Sequence, residues 1–385
     1  MAFLDSHGHK VLLATSMVSM VSMALGSIHA FSVFLIPLET MYGSSRASIG
    51  LIYSSSLVFL TLAVLLGPLI YSRLKPATIY FWVAVIGALG VIVAGIGGSL
   101  ALVWLGYSLI FGIANGLGYG FGLQYAARAN PDKAGLAVGV ITAAYALGAV
   151  VAPYGFEVTL NFGGFLAAML ALGATLLVVS IWAALVVDKF GVQYAEAGLK
   201  TASSKLSRRK LSILWFAYGS GVAAGLMAIG HAAGIAMGAG LSGWQAASVI
   251  AVCNLVGSLV SGWFADRMSH RFLLSSLPII SAFALLLLAV VPTQSFVLLG
   301  LLGFAYGGTI AVYPTTISRI FGVQNGPRAY GRVFTAWGAA GLLAPWFAGK
   351  IFDASGSYAP ALWIAAGLSL LSAIVIQQIF RDQYI

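Results

Sequence analysis

Long apolar runs separated by short polar segments dominate this sequence from end to end. Each run exceeds 20 residues, which is enough for a helix rising about 1.5 Å per residue to cross a hydrocarbon core of about 30 Å. A backbone in lipid must satisfy its own hydrogen bonds, so each run is predicted to be a helix. The twelve runs lie at about 11–37, 46–71, 77–97, 100–127, 134–157, 163–187, 211–239, 244–266, 271–292, 295–319, 329–350 and 358–380.

The scarcity of charge excludes most other classes of protein. Only 7% of the residues are charged and 61% are apolar, whereas soluble domains carry about 25% charged residues. The single cysteine, Cys253, excludes a disulfide framework and a cysteine-rich metal site. No nucleotide-binding loop, catalytic triad or paired carboxylate is recognisable. We therefore predict a membrane protein that is not an enzyme and that holds no cofactor or metal.

The basic residues indicate an orientation in the membrane. If the N-terminus is cytoplasmic, 17 of the 19 Lys and Arg residues lie on the cytoplasmic side, and only Arg46 and Lys350 lie opposite. This positive-inside bias places both termini in the cytoplasm. The net charge of +10 is therefore an orientation signal, and no nucleic acid is expected as a partner. We expect a multi-pass monomer of the cytoplasmic (inner) membrane, with the lipid bilayer and a small-molecule substrate as its partners.

One long polar stretch divides the apolar runs into two sets of six. The predicted domains are an N-terminal six-helix bundle at 1–187, a cytoplasmic linker at 188–210 and a C-terminal six-helix bundle at 211–385. Two repeated helical halves joined by a linker are typical of secondary transporters that work by alternating access.

Matching positions in the two halves indicate an internal duplication. The pairs, with the first-half residue named first, are His29 with His231, Tyr119 with Tyr306, Tyr145 with Trp337, and Gly67 with Gly262. Tyr145 and Trp337 each stand eight residues before a proline. The duplication predicts that each pair occupies an equivalent place in its own bundle.

The two mid-span histidines are the main candidates for function. No Lys, Arg, Asp or Glu lies squarely mid-span, and ionisable groups in lipid are costly enough to need a reason. His29 and His231 are either neutral rings bonded to a neighbouring helix or a pair lining a central cavity. Such a pair would bind a substrate carboxylate when protonated and would couple transport to protons. Recurrence at one place in both halves favours the second interpretation.

Aromatic and amide side chains complete the predicted substrate-binding set, because they combine apolar contact with a polar tip. These residues are Asn115, Tyr119, Tyr145, Asn254, Tyr306 and Trp337. Met227 precedes His231 by four residues on the same helix face, which leaves a copper importer with thioether and imidazole ligands as an alternative.

A loop sequence after the eighth run resembles a motif of the major facilitator superfamily. The residues are Gly262-x-x-x-Asp266-Arg267-x-x-x-Arg271, and the first-half copy runs from Gly67 to Arg73, with Tyr71 where the aspartate would stand. The resemblance implies a twelve-helix major facilitator fold. It also implies that Gly67, Arg73, Gly262, Asp266, Arg267 and Arg271 hold cytoplasmic helix ends together in one transport state and release them in the other.

A narrower resemblance, over 130–139, 321–338 and 352–360, is to the oxalate:formate antiporter and monocarboxylate transporter group. That group places an arginine in helix 8 within an Asn-x-x-Gly-Arg pattern. Here the stretch from Asn254 ends in Ser258, so a hydroxyl replaces the cation, and we include Ser258 in the substrate-binding set. A small dianion would lose a fixed counterion, and a buried uncompensated anion is very expensive. Oxalate is therefore not expected as the substrate.

These observations predict an all-α membrane protein with twelve transmembrane helices in two pseudo-symmetric six-helix bundles. The predicted function is secondary active transport of a small, monocarboxylate-like organic anion by proton symport or exchange. Transport of a neutral or chelated solute and copper import remain open. A non-transporting receptor or scaffold is disfavoured, because the sequence holds no sizeable extramembrane domain.

Overall fold

The computed structural model describes residues 6–44, 46–190, 206–237 and 243–381, and over these residues the chain is helical and contains no strand. Apolar side chains dominate every helix, and the helical backbone satisfies its own polar groups. The prediction of an all-α membrane protein is confirmed.

The helices before residue 191 are interrupted by short segments of different winding. They are α1 (Ser6–Gly26), a 3₁₀ segment (Ser27–Phe34), α2 (Leu35–Tyr42), α3 (Arg46–Tyr71), α4 (Pro76–Ile96), α5 (Leu100–Val103), a π-helix (Trp104–Phe111), α6 (Gly112–Ala129), a 3₁₀ turn (Pro131–Lys133) and α7 (Ala134–Phe190). The later ones are α8 (Arg208–Met237), α9 (Gly243–Ala265), α10 (His270–Val290), a 3₁₀ turn (Pro292–Gln294), α11 (Ser295–Ser355) and α12 (Ala359–Arg381).

Two of the helices are long enough to cross a membrane twice. Among the described residues, ten segments are long and apolar enough to span, and those at 131–190 and 292–352 hold 60 and 61 residues. At about 1.5 Å per residue, either segment would be about 90 Å long if it were one continuous helix, three times a hydrocarbon core. Gly164 (φ 68°) interrupts α7 and Gly322 (φ 79°) interrupts α11. Gly322 lies between two predicted runs, and Gly164 is the second residue of the run predicted at 163–187. Each of the two long segments therefore holds two predicted runs, and the ten segments account for all twelve.

The chain divides into two compact units. The first comprises Met1–Pro131 and Ala144–Ser203, and the second comprises Asp132–Ala143 and Ser204–Ile385. The first turns of α7 thus belong to the second unit. Of the predicted linker, residues 191–205 lie outside the described residues, and the predicted domain boundaries stay a prediction.

Large apolar side chains cover much of the outer surface of the described residues. Phe162, Trp182 and Ile374 are 92%, 62% and 65% exposed. A water-soluble protein rarely exposes so many large apolar side chains, whereas hydrocarbon chains cover them without penalty. The protein is therefore a multi-pass membrane protein.

Candidate functional site

His29 lies in the 3₁₀ segment between α1 and α2 and is half-buried. Its Nδ1 is 2.6 Å from the Tyr53 hydroxyl, and its ring forms a T-shaped contact with the Tyr145 ring, with 5.5 Å between centroids. Within the described part of the chain, no side chain or backbone group forms a hydrogen bond to its other nitrogen, Nε2. The ring is held on one side and keeps a hydrogen-bonding position available on the other.

Two glycines bring α1 and α7 close enough for this arrangement. A Cβ added at Gly26 would collide with the backbone carbonyl of Tyr145, and one added at Gly148 would collide with that of Met23. Small residues let helix backbones approach directly in a membrane. The glycines therefore place Tyr145 beside His29.

A buried amide fixes the Tyr145 ring in this place. Asn115 is fully buried; its Nδ2 donates to the Leu25 carbonyl at 2.7 Å, and its Oδ1 accepts the Tyr145 hydroxyl at 3.0 Å. The Tyr119 ring packs on Tyr145 with 4.5 Å between centroids. The structure thus brings together four predicted site residues of the first unit: His29, Asn115, Tyr119 and Tyr145.

His231, in the second unit, has both ring nitrogens occupied. Its Nε2 is 2.8 Å from the Pro345 carbonyl oxygen, and its Nδ1 is 3.1 Å from the Tyr358 hydroxyl. A carbonyl only accepts hydrogen bonds, so Nε2 carries a proton, and in the neutral ring Nδ1 accepts the tyrosine proton. The two hydrogen bonds tie α8 to α11 and to the residue preceding α12.

Met227, the predicted copper-binding partner of His231, is buried in the apolar core of the second unit. That core includes Ala224, Ala228, Leu285, Leu299 and Ala366. A metal would reach His231 only after the hydrogen bonds to Pro345 or Tyr358 had broken. The observed packing therefore gives copper import no support.

The aromatic pair of the second unit also forms a contact. The indole N–H of Trp337 donates to the Tyr306 hydroxyl at 2.9 Å, and both side chains are buried. The Trp337 ring stacks on Phe334 with 5.0 Å between centroids. Each unit therefore places its two predicted aromatic residues against one another, Tyr119 with Tyr145 and Tyr306 with Trp337.

Asn254 and Ser258 lie one turn apart on α9. The Ser258 hydroxyl is 3.5 Å from the Asn254 side-chain oxygen, and Ser258 is the more deeply buried of the two. At the position where the resembling group places its arginine, this chain offers a small neutral hydroxyl.

Asp266 of the predicted gating motif caps the start of α7. Its two carboxylate oxygens accept the backbone N–H groups of Gly135 at 2.7 Å and Leu136 at 2.8 Å. Gly262 lies against the same segment, because a Cβ added there would be 2.6 Å from the Gly135 carbonyl oxygen. The first N–H groups of a helix lack partners within the helix, and a carboxylate there also interacts favourably with the helix dipole.

Two motif arginines have different partners, one nearby in the chain and one on a distant helix. The Arg267 guanidinium lies 3.8 Å above the Trp263 ring and also donates to the Trp263 carbonyl at 3.0 Å. The Nε of Arg271 is 2.5 Å from the Gln377 side-chain oxygen. The Arg267 contacts hold the turn against the end of α9, and the Arg271 contact joins the start of α10 to α12.

The first-half copy of the motif is built differently. Tyr71, which stands where the aspartate would be, is buried over Gly67, and its hydroxyl donates to the Leu117 carbonyl at 3.1 Å. Arg73 is exposed. A neutral phenol thus joins α3 to α6 here, where the second half uses a carboxylate at a helix terminus.

Sequence reasoning missed two residues of the site, Tyr53 and Tyr358. Each places a hydroxyl on the Nδ1 of one predicted histidine, from 24 and 127 residues away along the chain. No spacing or repeat in the sequence links them to those histidines.

Comparison with known proteins assigns the chain to a family. The model of the Major Facilitator Superfamily matches residues 11–291 and 211–383. The chain is 23% identical to the uncharacterized MFS-type transporter YhjX of Escherichia coli (strain K12) over 336 residues, 83% of each chain. It is 26% identical to the oxalate:formate antiporter of Oxalobacter formigenes over 244 residues, 60% of this chain and 58% of the antiporter.

Among solved structures, the proton:xylose symporter XylE superposes with a TM-score of 0.78 at 14% identity, over 97% of this chain and 96% of the symporter. At that identity the likeness concerns the fold, and it confirms the predicted one. The similarity to the antiporter confirms the narrower resemblance as well. The chain is a transporter that belongs to the major facilitator superfamily.

Proposed function

We propose that this transporter is secondary active and moves a small monocarboxylate together with a proton or in exchange for another solute, by alternating access. The observation that carries the proposal is the His29 ring, held at Nδ1 by Tyr53 and with no protein partner at Nε2 among the described residues. The similarity to a protein named oxalate:formate antiporter supports a carboxylate as the substrate class.

Charge balance favours one carboxylate over two. The four site residues of the first unit offer an imidazole, an amide and two phenols, so among them a positive charge comes from His29 alone, when it is protonated. One imidazolium neutralises one carboxylate, and the second charge of a dianion would stay uncompensated in a medium where that is very costly. A carboxylate bound beside the ring favours the protonated form of His29, so binding of the anion is coupled to uptake of a proton.

His231 is the second proposed proton-coupling residue. Unlike His29, it has a hydrogen-bond partner at each ring nitrogen. A substrate carboxylate would have to displace the Pro345 carbonyl from Nε2 or the Tyr358 hydroxyl from Nδ1. We propose that Asn254, Ser258, Tyr306 and Trp337 supply the neutral contacts of the second unit, as Asn115, Tyr119 and Tyr145 do in the first.

We further propose that the protein lies in the cytoplasmic membrane with both termini in the cytoplasm. The distribution of Lys and Arg supports this orientation. In this orientation the turn around Asp266 lies on the cytoplasmic side. The Asp266 carboxylate that caps α7 would then hold cytoplasmic helix ends together in one transport state and release them in the other.

A thermal-shift panel on the purified protein tests the proposal, because binding to the folded state alone raises the melting temperature. Formate, L-lactate and pyruvate are compared with oxalate, a neutral sugar and copper salts. At 100 times the dissociation constant a ligand stabilises by about 2.7 kcal/mol. The proposal predicts stabilisation by a monocarboxylate that increases as the pH falls and disappears in His29→Ala.

The matched control is His9→Ala, which changes an exposed histidine near the start of α1 and should leave the stabilisation intact. Stabilisation by the sugar alone would favour the neutral solute, for which Ser258 in place of an arginine is the supporting feature. Stabilisation by copper alone would favour the metal route. Either result contradicts the monocarboxylate proposal.

A further inference from the structure

The two mid-span histidines share one contact and differ in the other. Each has a tyrosine hydroxyl on Nδ1, from Tyr53 at 2.6 Å for His29 and from Tyr358 at 3.1 Å for His231. At Nε2, His231 meets the Pro345 carbonyl oxygen, whereas His29 meets no hydrogen-bonding group of the described chain. The second unit thus shows which kind of atom satisfies this ring position: an acceptor oxygen.

At His231 the Pro345 carbonyl oxygen can only accept a hydrogen bond, so Nε2 must carry a proton. At His29 the hydroxyl of Tyr53 is the protein group that sets the tautomer. A phenol O–H is more acidic than the N–H of neutral imidazole, and an imidazole nitrogen is more basic than a phenol oxygen. The O–H···N arrangement is therefore preferred, which leaves the ring proton on Nε2.

The Tyr53 ring is held in place for this role. Phe31 lies parallel to it, with 6.2 Å between centroids and 12° between planes. The titratable groups that contact His29 are Tyr53 from α3 and Tyr145 from α7, and the Tyr107 hydroxyl lies 3.5 Å from the carbonyl of the adjacent Ile28. These groups are phenols, which stay neutral across the range in which a histidine titrates.

We infer that Tyr53 is a positioning residue: its hydroxyl fixes His29 as an Nε2–H donor, so that the ring binds a substrate oxygen in both of its protonation states. In the neutral ring, Tyr53 donates to Nδ1; in the imidazolium, Nδ1–H donates to the Tyr53 oxygen. Nε2 presents an N–H in both cases, and protonation adds charge without turning a donor into an acceptor. The identity of the oxygen as a carboxylate oxygen rests on the proposed function.

The structural half of the inference is tested by nitrogen NMR on protein labelled with ¹⁵N-histidine, because chemical shifts separate protonated from unprotonated ring nitrogens. The His29 signals are identified by their loss in His29→Asn. At about pH 8, where histidine is ordinarily neutral, we expect His29 to show an unprotonated Nδ1 and a protonated Nε2. A protonated Nδ1 in the wild-type ring overturns the inference, and this spectrum needs no variant of Tyr53.

A pair of matched variants sharpens the test. Tyr53→Phe removes the hydroxyl on His29 and should shift its signals toward a mixture of the two tautomers. Tyr358→Phe removes the equivalent hydroxyl on His231 and should leave that tautomer unchanged, because the Pro345 carbonyl still demands Nε2–H. Unchanged His29 signals in Tyr53→Phe would overturn the assignment.

Uptake kinetics test the functional half. For the monocarboxylates of the panel, Tyr53→Phe should raise KM by about twofold at about pH 8, because a variant whose rings divide evenly between the two tautomers has half of them competent to bind. The rise should vanish at a pH low enough to protonate the ring, because the imidazolium is an Nε2 donor with or without the Tyr53 hydroxyl. An equal rise at both pH values overturns the positioning role. If the wild type takes up no monocarboxylate, the proposed function fails, and the NMR spectrum still decides the tautomer.

Discussion

Replacing Asp266 by Asn should loosen the start of α7. The two carboxylate oxygens accept the N–H groups of Gly135 and Leu136, which as first-turn amides have no acceptor within their own helix. Asparagine has nearly the same shape, but it offers one acceptor oxygen in place of two and carries no charge. The variant therefore leaves at least one of these amides without a partner.

The expected loss follows from the two parts of the contact. A hydrogen bond to a charged group contributes about 1.5–3 kcal/mol, and a carboxylate at a helix N-terminus about 0.3–1 kcal/mol through the dipole. Asp266 is half-buried, so solvent screening reduces both, and one hydrogen bond is retained. A net loss of about 1–2 kcal/mol corresponds to roughly 5–30-fold faster opening of this turn.

Amide hydrogen exchange followed by mass spectrometry reads this opening directly in peptides that cover 134–143. Faster exchange is expected there in Asp266→Asn. Asp188→Asn serves as the control, because it removes an exposed carboxylate near the far end of the same helix. If exchange at the start of α7 were the same in the wild type and in Asp266→Asn, the capping role would be refuted.

Two further substitutions test the packing around the site. Gly148→Ala should destabilise the protein by about 1–3 kcal/mol, because the added Cβ would collide with the Met23 carbonyl. The control is Gly155→Ala, whose added Cβ has no atom within 4 Å and should leave the melting temperature unchanged. Equal melting temperatures for the two variants would contradict the close approach of α1 and α7. Trp337→Phe removes the N–H that donates to the Tyr306 hydroxyl and should lower the free energy of unfolding by about 1 kcal/mol. A variant as stable as the wild type would show that this hydrogen bond contributes nothing to stability.

Much of the fold could be predicted from the sequence because lipid leaves few options. Each apolar run had to be helical, and the breaks at Gly164 and Gly322 lie within two residues of a run's start or between two runs identified by composition. The local windings could not be predicted. The 3₁₀ segment Ser27–Phe34 and the π-helix Trp104–Phe111 differ little from α-helix in backbone energy, so packing against neighbouring helices decides between them.

The site was predicted in part, for a similar reason. Internal symmetry selected Tyr119 with Tyr306 and Tyr145 with Trp337, and within each unit the selected residues do meet. Symmetry also suggested equivalent roles for His29 and His231. What distinguishes them is one carbonyl oxygen at Pro345, 114 residues from His231, and a sequence pattern carries no information on such a contact.

Flux through proteoliposomes tests the central proposal most directly. Labelled formate, L-lactate and pyruvate are supplied to vesicles containing the wild type or His29→Ala, with and without an inward proton gradient, and protein-free vesicles correct for passive diffusion. The proposal predicts saturable, gradient-stimulated accumulation of at least one monocarboxylate by the wild type and its loss in His29→Ala. Undiminished accumulation by His29→Ala, or uptake of a neutral sugar with no monocarboxylate accumulated, would contradict it.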